Sequence, residues 1–324
     1  MTTTTEMIAR QQPLSTEFGY RSTAAEAIAG HDLAGARAIV TGGYSGLGLE
    51  TVRALARAGV SVIVPARRPD VAADALRDLE GVEVRHMDLS DLDSVAAFTA
   101  TIREDARPLR LVINAAGVMA TPQQRTPQGW EWQFGTNHLG HFALVGGVAP
   151  LLAEGSRVIS YSSVGHYRSP VLFDDITFET TPYDPWVAYG QSKTANALFA
   201  GGLDARGSSR GIHSFSVHPG AIMTPLLRHL SRDEQIASGT IDEAGNPINP
   251  RFKSPEAGAA TQVWAATASL LDGKGGVYLE DCEVAVPWTE DLEFSGVKDW
   301  ATDPEQAARL WDVSAELTGV DAFA

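Results

Sequence analysis

A tyrosine and a lysine stand four positions apart in the stretch Tyr189-Gly190-Gln191-Ser192-Lys193. On a helix, residues i and i+4 project from the same face, so the phenol and the ammonium would be neighbours. A tyrosine in water has a pKa of about 10 and is a poor base at neutral pH, but a fixed cation nearby favours the phenolate. The pair could therefore give a proton to a carbonyl oxygen, or take one from an alcohol in the reverse reaction.

A second group of reactive side chains occupies residues 159–169, which read ISYSSVGHYRS. A serine close to a histidine suggests a hydrolase, but the hydrolase pattern G-x-S-x-G fails at its last position in residues 43–47, so this function is not expected. The stretch begins as an apolar run, which predicts a strand that ends at Ser162 and Ser163. Hydroxyls at the carboxyl end of a strand are well placed to contact a ligand.

The stretch TGGYSGLG, residues 41–48, follows an apolar run and precedes a helical pattern. Glycines let the backbone turn tightly and approach a ligand, and the free amides of the following helix suit a pyrophosphate. A glycine cluster between a first strand and a helix therefore predicts a dinucleotide-binding loop. We expect this loop to contact the cofactor through Gly42, Tyr44, Ser45, Gly46 and Leu47.

The end of the second predicted strand reads Val64-Pro65-Ala66-Arg67-Arg68. An acidic residue there would bind the ribose 2′-hydroxyl of NAD and repel a 2′-phosphate, but this chain has alanine in its place. A guanidinium matches a phosphate in charge and in fork geometry. We therefore expect NADP(H) rather than NAD(H), with Arg67 as the residue that contacts the phosphate.

The elements that must position these groups alternate regularly from residue 36 onward. Short apolar runs are each followed by a helical stretch of about 10 to 15 residues, which implies right-handed βαβ units. The predicted fold is α/β, a single Rossmann-type doubly wound parallel sheet flanked by helices. We expect one domain over residues 33–324, with a polar surface insertion at about 232–253 that could act as a mobile flap near the substrate. Residues 1–32 would form an arm, poorly ordered or wrapped on the surface, with a short helix at about 22–29.

The composition excludes several classes of partner. The chain has 324 residues, and its 40 Asp plus Glu against 25 Lys plus Arg give a formal charge of −15. This balance argues against nucleic acid or an anionic membrane as the main partner. The single cysteine, Cys282, cannot form an internal disulfide, no apolar run is long enough to span a membrane, and the N-terminus lacks the pattern of a signal peptide. We therefore expect a cytoplasmic protein with a small-molecule substrate.

Together these motifs resemble the short-chain dehydrogenase/reductase family. The glycine loop has the family's T-G-x-x-x-G-x-G spacing, residues 114–117 read NAAG, and residues 189–193 carry its Y-x-x-x-K pair. The segments NHLGHF, SVHPG, VYLEDC and ARLWDVSAELTG narrow the resemblance to the retinol dehydrogenase-like branch, from about residue 33 to the end of the chain. Membrane-bound members of that branch carry an apolar anchor that is not found here, so we do not expect retinol itself. Soluble members of the family are usually dimers or tetramers, which implies a homodimer or homotetramer.

The resemblance also implies roles for individual residues. Ser163, the second serine of its pair, would bind the substrate oxygen, Tyr189 would be the acid–base group, and Lys193 would hold the nicotinamide ribose. Asn137 would order a water in a proton relay behind the lysine. The remaining cofactor contacts are expected at Asp88, Leu89, Asn114, Ala115, Ala116, Gly117, Pro219, Gly220 and Thr224.

Three histidines receive no catalytic role in this interpretation. His138 and His141 have H-x-x-H spacing, but no third metal ligand is visible and H-E-x-x-H is absent, so no metal site is expected. His166 is assigned to the rim of the substrate pocket.

An apolar and aromatic pocket is expected, which favours a lipophilic ketone, aldehyde or alcohol as the substrate. Two other functions would use much of the same sequence: a cofactor-binding regulator that has lost turnover, and a sugar-nucleotide epimerase or dehydratase, which shares Y-x-x-x-K. The residues expected to line the pocket are Val164, Tyr167, Phe173, Tyr183, Trp186, Ile222, Met223, Leu226 and Leu227.

Overall fold

The structure is a computed structural model, and it describes residues 10–292 and 294–323. The strands in this part of the chain are β1 (Arg37–Thr41), β2 (Ser61–Ala66), β3 (Val82–His86), β4 (Leu109–Asn114), β5 (Leu152–Tyr161), β6 (His213–His218), β7 (Tyr278–Glu280) and β8 (Glu283–Val284). They form one sheet in the order β3-β2-β1-β4-β5-β6-β7-β8. All neighbouring pairs are parallel except β7 and β8, which are antiparallel.

Helices cover both faces of this sheet. They are α1 (Ala24–Ile28), α2 (Gly46–Arg57), α3 (Pro69–Leu76), α4 (Leu92–Glu104), α5 (Trp132–Phe134, a π turn at Gly135–Leu139, and Gly140–Val148), α6 (Pro185–Gly207), α7 (Arg232–Ala237), α8 (Pro255–Gly258), α9 (Ala260–Thr267) and α10 (Pro304–Thr318). No helix in the described ranges is both long and apolar enough to cross a bilayer.

Strand β1 shows why the apolar runs are continuous rather than alternating. Ala38 and Val40 pack on one side with α1, α2 and α9, whereas Ile39 packs on the other with α4, α5, α6 and α10. A strand buried on both faces needs apolar residues at every position. The predicted doubly wound α/β fold is therefore confirmed.

The strand order places the ligand-binding edge of the sheet. Strand β1 lies between β2 and β4, so the connections that leave β1 and β4 diverge to opposite faces. In open α/β sheets, ligands bind at such a switch point, beyond the carboxyl ends of the strands. Thr41, Asn114 and Tyr161 end their strands at this edge.

The described part of the N-terminal arm packs on the domain. Helix α1 has Thr23 as its N-cap with a capping box to Glu26, close to the predicted start, and its Ala27 and Ile28 enter the core. Further upstream, the Gln11 side chain is buried and bonded to the backbone of β7. The first nine residues of the predicted arm lie outside the described residues.

The predicted insertion at 232–253 is a folded segment beside the ligand-binding edge. It contains α7, capped by Ser231, and a turn closed by pairing of Ile241 with Pro247. Phe252 then pairs with Ala221, just after β6. Thr240 and Phe252 of this segment line the cavity described below.

Candidate active site

A cavity of about 600 Å³ opens at the carboxyl edge of the sheet, where the ends of β1, β2, β4, β5 and β6 meet. The glycine loop, both strand-end arginines and the serine–tyrosine–lysine group all reach it. The predicted site residues that line it are Gly42, Tyr44, Ser45, Gly46, Leu47, Arg67, Asp88, Leu89, Ala115, Ala116, Gly117, Ser163, Tyr189, Lys193, Pro219, Gly220 and Thr224.

Of the predicted catalytic and cofactor-binding residues, only two asparagines are outside this lining. Asn114 ends β4, and its Nδ2 donates to Ser160 Oγ at 3.1 Å. Asn137 lies fully buried in the π turn of α5. Its Oδ1 accepts from Val118 N at 2.8 Å, while its Nδ2 donates to Val118 O and Ser192 Oγ, both at 2.9 Å. Asn137 thus joins the end of β4 to α6, and its relay role stays a prediction.

The glycine loop folds tightly on itself and against the end of β4 because side chains are absent. A Cβ on Gly42, whose φ is +66°, would lie 2.9 Å from Ala116 Cα, and one on Gly48 would collide with Gly42 O. Ser45 is the N-cap of α2 but makes no side-chain cap bond, so it leaves the first amides of the helix free for an anion. This cradle fits the pyrophosphate of a dinucleotide.

Tyr189 is buried against the turn that follows β5. The Ser163 hydroxyl hydrogen-bonds its phenol, and it also accepts from Gly165 N at 3.0 Å. Burial raises the pKa of Tyr189 to about 12, and the bond from Ser163 only partly opposes this rise. The pKa of Tyr189 therefore lies above its ordinary value, not below it as the sequence suggested, because loss of hydration is the largest effect on the buried phenol.

Lys193 lies one helical turn further along α6, facing the same cavity. Its Nζ donates to Tyr161 O at 3.0 Å and lies 5.6 Å from the centre of the Tyr189 ring. Burial lowers the pKa of Lys193 to about 8. The ammonium is therefore fixed beside the phenol by a backbone carbonyl.

The placement of His166 corrects the sequence prediction. Its ring is fully buried and does not stand at a pocket rim. Nδ1 donates to Ser163 O at 2.6 Å, and Nε2 accepts from Lys298 N at 3.1 Å. Burial lowers the pKa of His166 to about 4, so the ring is neutral at neutral pH and holds the backbone of Ser163.

The other histidines and the hydrolase pattern have structural explanations. His138 Nε2 contacts Ser314 Oγ at 2.7 Å, and His141 Nε2 contacts Thr41 Oγ1 at 2.9 Å. The pattern G-x-S-x-G does occur, at residues 207–211, and the sequence analysis missed it. Those residues form the turn between α6 and the amino end of β6, at the edge of the sheet opposite the cavity.

The predicted substrate pocket is only partly correct. Val164, Ile222, Leu226 and Leu227 line the cavity as expected. The aromatic members do not: Phe173 packs under Arg309, Tyr183 bonds to Thr121 O and Glu131, and Tyr167 bonds to the carbonyls of residues 295 and 296. Trp186 packs beside Tyr189, and Met223 is likewise outside the lining. The lining residues missed include Val118, Met119, Thr240 and Phe252, whose places depend on long-range folding.

Known proteins resemble this chain over most of its length. Residues 36–235 match the family model described as short chain dehydrogenase. A Streptomyces lividans protein named "Probable oxidoreductase" is 43% identical over 88% of this chain and 98% of its own length. Retinol dehydrogenase 13 of Homo sapiens is 35% identical over 89% of this chain and 86% of its own. The crystal structure of an uncharacterized protein from Mycobacterium Paratuberculosis is 32% identical, covers 94% of this chain and 99% of its own, and superposes with a TM-score of 0.72.

A doubly wound sheet with a glycine cradle, and with a hydroxyl, a phenol and an ammonium at its carboxyl edge, defines a dehydrogenase or reductase. The matched family model and the relatives agree with this class. The chain belongs to the short chain dehydrogenase family, in its retinol dehydrogenase-like branch, and is an oxidoreductase.

Proposed function

We propose that this protein is an NADP(H)-dependent carbonyl reductase or alcohol dehydrogenase that acts on a lipophilic substrate. The observation that carries the proposal is the meeting of Ser163, Tyr189 and Lys193 in one cavity with the glycine loop. A hydroxyl and a phenol beside a buried ammonium can exchange a proton with a substrate oxygen. The loop can hold a dinucleotide next to them.

The residues present fit a nicotinamide dinucleotide. The glycine loop lines the cavity, and the uncapped amides at the start of α2 would hold the pyrophosphate. Lys193 would hold the ribose hydroxyls on the nicotinamide side. When bound, the nicotinamide supplies or accepts the hydride that is exchanged with the substrate carbon.

The proton steps belong to the chain's own side chains. Because burial raises the pKa of Tyr189, its phenol is protonated at neutral pH and can serve as the acid in carbonyl reduction. The Ser163 hydroxyl donates to the substrate oxygen and stabilises the developing alkoxide, which then takes the phenolic proton. The phenolate left on Tyr189 is stabilised by the nearby Lys193 ammonium.

The choice of NADP(H) rests on the end of β2. Ala66, the last residue of the strand, offers no carboxylate to a ribose hydroxyl. Arg67 and Arg68 follow it, are exposed, and line the cavity. A free guanidinium at this position favours a 2′-phosphate in charge and geometry.

The substrate class rests on the lining around Tyr189. Met119, Leu226 and Leu227 contact the buried tyrosine cluster, and Val164, Ile222 and Phe252 extend the same wall. Two relatives, 35% identical to this chain, are named retinol dehydrogenases 13 and 12. An apolar wall and these names support a lipophilic carbonyl or alcohol.

The test is an assay of NADPH and NADH oxidation with a panel of aliphatic, aromatic and sugar carbonyls. We expect turnover with lipophilic carbonyls, a preference for NADPH, and a loss of kcat of about 100-fold or more in Tyr189→Phe with NADPH binding retained. Tyr183→Phe is the matched control, because that phenol bonds to Thr121 O outside the cavity. NADPH binding without turnover on any carbonyl would instead favour a regulatory protein, and a preference for NADH would refute the role of Arg67.

A further inference from the structure

Three arginines line the cavity. Arg67 and Arg68 come from the connection between β2 and α3, and Arg228 comes from the short turn Pro225–His229. Among the described residues, no carboxylate lies within 4.0 Å of any of the three. In a chain with a formal charge of −15, such an uncompensated group indicates a place for an anion.

The acid in the cavity wall does not neutralise these arginines. Asp88 is the acidic residue among the described residues that line the cavity. Its Oδ1 accepts from both the backbone N and the hydroxyl of Ser90, at 2.9 and 2.7 Å, which holds it in its own turn. The positive charge therefore remains available to a ligand.

Arg228 and Arg67 lie close enough for their charges to repel. Partial burial first, and then the charge of Arg67, lower the pKa of Arg228, while Tyr44 in the glycine loop opposes this. The Arg228 side chain is turned back by a bond from Nη1 to Pro225 O at 3.1 Å. Two repelling guanidiniums near the glycine loop are stabilised when a phosphate binds between them.

The turn that carries Arg228 also reaches the reactive tyrosine. Leu226, Leu227 and Leu230 pack against the cluster of Met119, Ala120 and Tyr189. Thr224 caps the turn, and a Cβ on Gly46 would lie only 3.6 Å from its Cβ. The turn Pro225–His229 thus makes two contacts: Arg228 lies near Arg67, and the leucines of the turn pack against the Tyr189 cluster.

We propose that Arg228 binds the 2′-phosphate of NADP(H) together with Arg67, and that this contact holds the turn Pro225–His229 over Tyr189. This inference rests on the proposed function. It makes Arg228 a cofactor-specificity residue and links the choice of cofactor to the closure of the substrate pocket. The substrate KM should therefore be lower with NADPH than with NADH.

The first experiment measures the Kd of NADPH and of NADH for Arg228→Gln, Arg67→Gln and the double variant. A charge-assisted bond to a phosphate predicts a Kd for NADPH raised about 10-fold or more in each single variant, with NADH changed by less than about 2-fold. Because the two guanidiniums share one phosphate, the double variant should lose less than the sum of the single effects. At saturating NADPH, Arg228→Gln should also raise the substrate KM.

Arg232→Gln is the matched control. Arg232 lies four residues after Arg228, at the start of α7, and donates to Glu243 O, but it is outside the cavity lining. Removing its charge should leave both dissociation constants and the substrate KM unchanged. Adenosine 2′-monophosphate and adenosine 5′-monophosphate serve as probes, and only the former should bind more weakly to Arg228→Gln than to the wild type.

The possible outcomes separate this inference from the proposed function. An equal loss of NADPH and NADH affinity in Arg228→Gln would assign the arginine to the pyrophosphate and overturn the inference. If the wild type prefers NADPH and reduces carbonyls, but Arg228→Gln binds NADPH as tightly as the wild type does, the inference is overturned and the proposed function stays intact. A wild type that binds neither dinucleotide would refute both.

Discussion

The buried ammonium of Lys193 determines the pH range of the proposed reduction. Burial lowers its pKa to about 8, so the charge is present below that pH and is lost above it. Because the charge stabilises the phenolate that Tyr189 forms, we expect kcat/KM for carbonyl reduction to fall about tenfold per pH unit above pH 8. Tyr189, with a pKa raised to about 12, stays protonated in this range and adds no inflection. A pH–rate profile at saturating NADPH measures this.

Lys193→Arg tests the assignment, because a guanidinium keeps its charge far above pH 8. The longer, planar group cannot keep the bond to Tyr161 O unchanged, so kcat should fall, but the profile should become flat between pH 7 and about 10. An inflection retained near pH 8 in this variant would show that another group titrates.

His166 acts as a positioning residue in this arrangement. Its neutral ring donates to Ser163 O and accepts from Lys298 N, so it fixes the serine without touching the substrate. We expect His166→Phe to lower kcat about 10-fold or more while the Kd of NADPH is unchanged, because a displaced hydroxyl mainly affects the transition state. His166→Asn keeps a side-chain N–H donor and should recover part of the loss. Wild-type kcat in His166→Phe would contradict this role.

At the residue scale, the sequence predicted groups whose motifs are local. Ser163 lies two residues after the end of β5, and Tyr189 and Lys193 are one helical turn apart, so each was predicted from its local pattern. The meeting of Ser163 with Tyr189 depends on how β5 and α6 pack. The role of His166 was missed because its partners Tyr278 and Lys298 lie 112 and 132 positions further along the chain. The raised pKa of Tyr189 could not be predicted from the sequence either, because it results from the burial of the phenol in the folded chain.

At the scale of elements, the site depends on a close approach between the turn Val164–Arg168 and α6. A Cβ on Gly165 would lie 2.8 Å from Cδ1 of Tyr189, and one on Gly190 would lie 2.8 Å from Cβ of Arg168. We expect Gly165→Ala to displace the Tyr189 phenol from Ser163 and to lower kcat about 100-fold. The affinity for NADPH should change less. Steady-state kinetics and NADPH titration of the variant measure both quantities.

Gly19→Ala provides the comparison for this variant. A Cβ at Gly19 would meet no atom within 4 Å, and its backbone is not left-handed. This variant should keep wild-type kinetics. If both glycine variants were fully active, the close contact would not position Tyr189.

The elements that the sequence predicted well are the strongly apolar ones. Strands β1 to β6 were predicted from short apolar runs, although β3 is only partly buried, and the helix near residue 24 was predicted from its capping residues. Strands β7 and β8 have three and two residues, too few for a pattern, and they form only because β6 and the arm flank them. The polar segment that follows α7 likewise gives no local pattern, and its end is held by the pairing of Phe252 with Ala221.

At the scale of the whole molecule, the N-terminal arm packs along the edge of the sheet that is formed by β7 and β8. Gln11 Nε2 donates to Tyr278 O and Ala285 O at 2.8 and 2.7 Å, and Tyr278 N donates to Gln11 Oε1 at 3.0 Å. A single polar residue in a polar stretch gives no sequence signal of burial. The sequence therefore predicted that the arm lies on the surface or is poorly ordered, although the side chain of Gln11 is buried.

Gln11 should consequently matter for stability. Gln11→Ala leaves Tyr278 N and Ala285 O without partners and removes one of the two bonds to Tyr278 O, so we expect the free energy of unfolding to fall by about 3 kcal/mol. Urea unfolding, with equal m-values for both proteins, measures the difference. Gln128→Ala removes an exposed glutamine whose side chain bonds to Asp91, and it should change stability by less than about 0.5 kcal/mol. Equal midpoints for Gln11→Ala and the wild type would show that water replaces the three bonds and that the arm is not needed to hold β7.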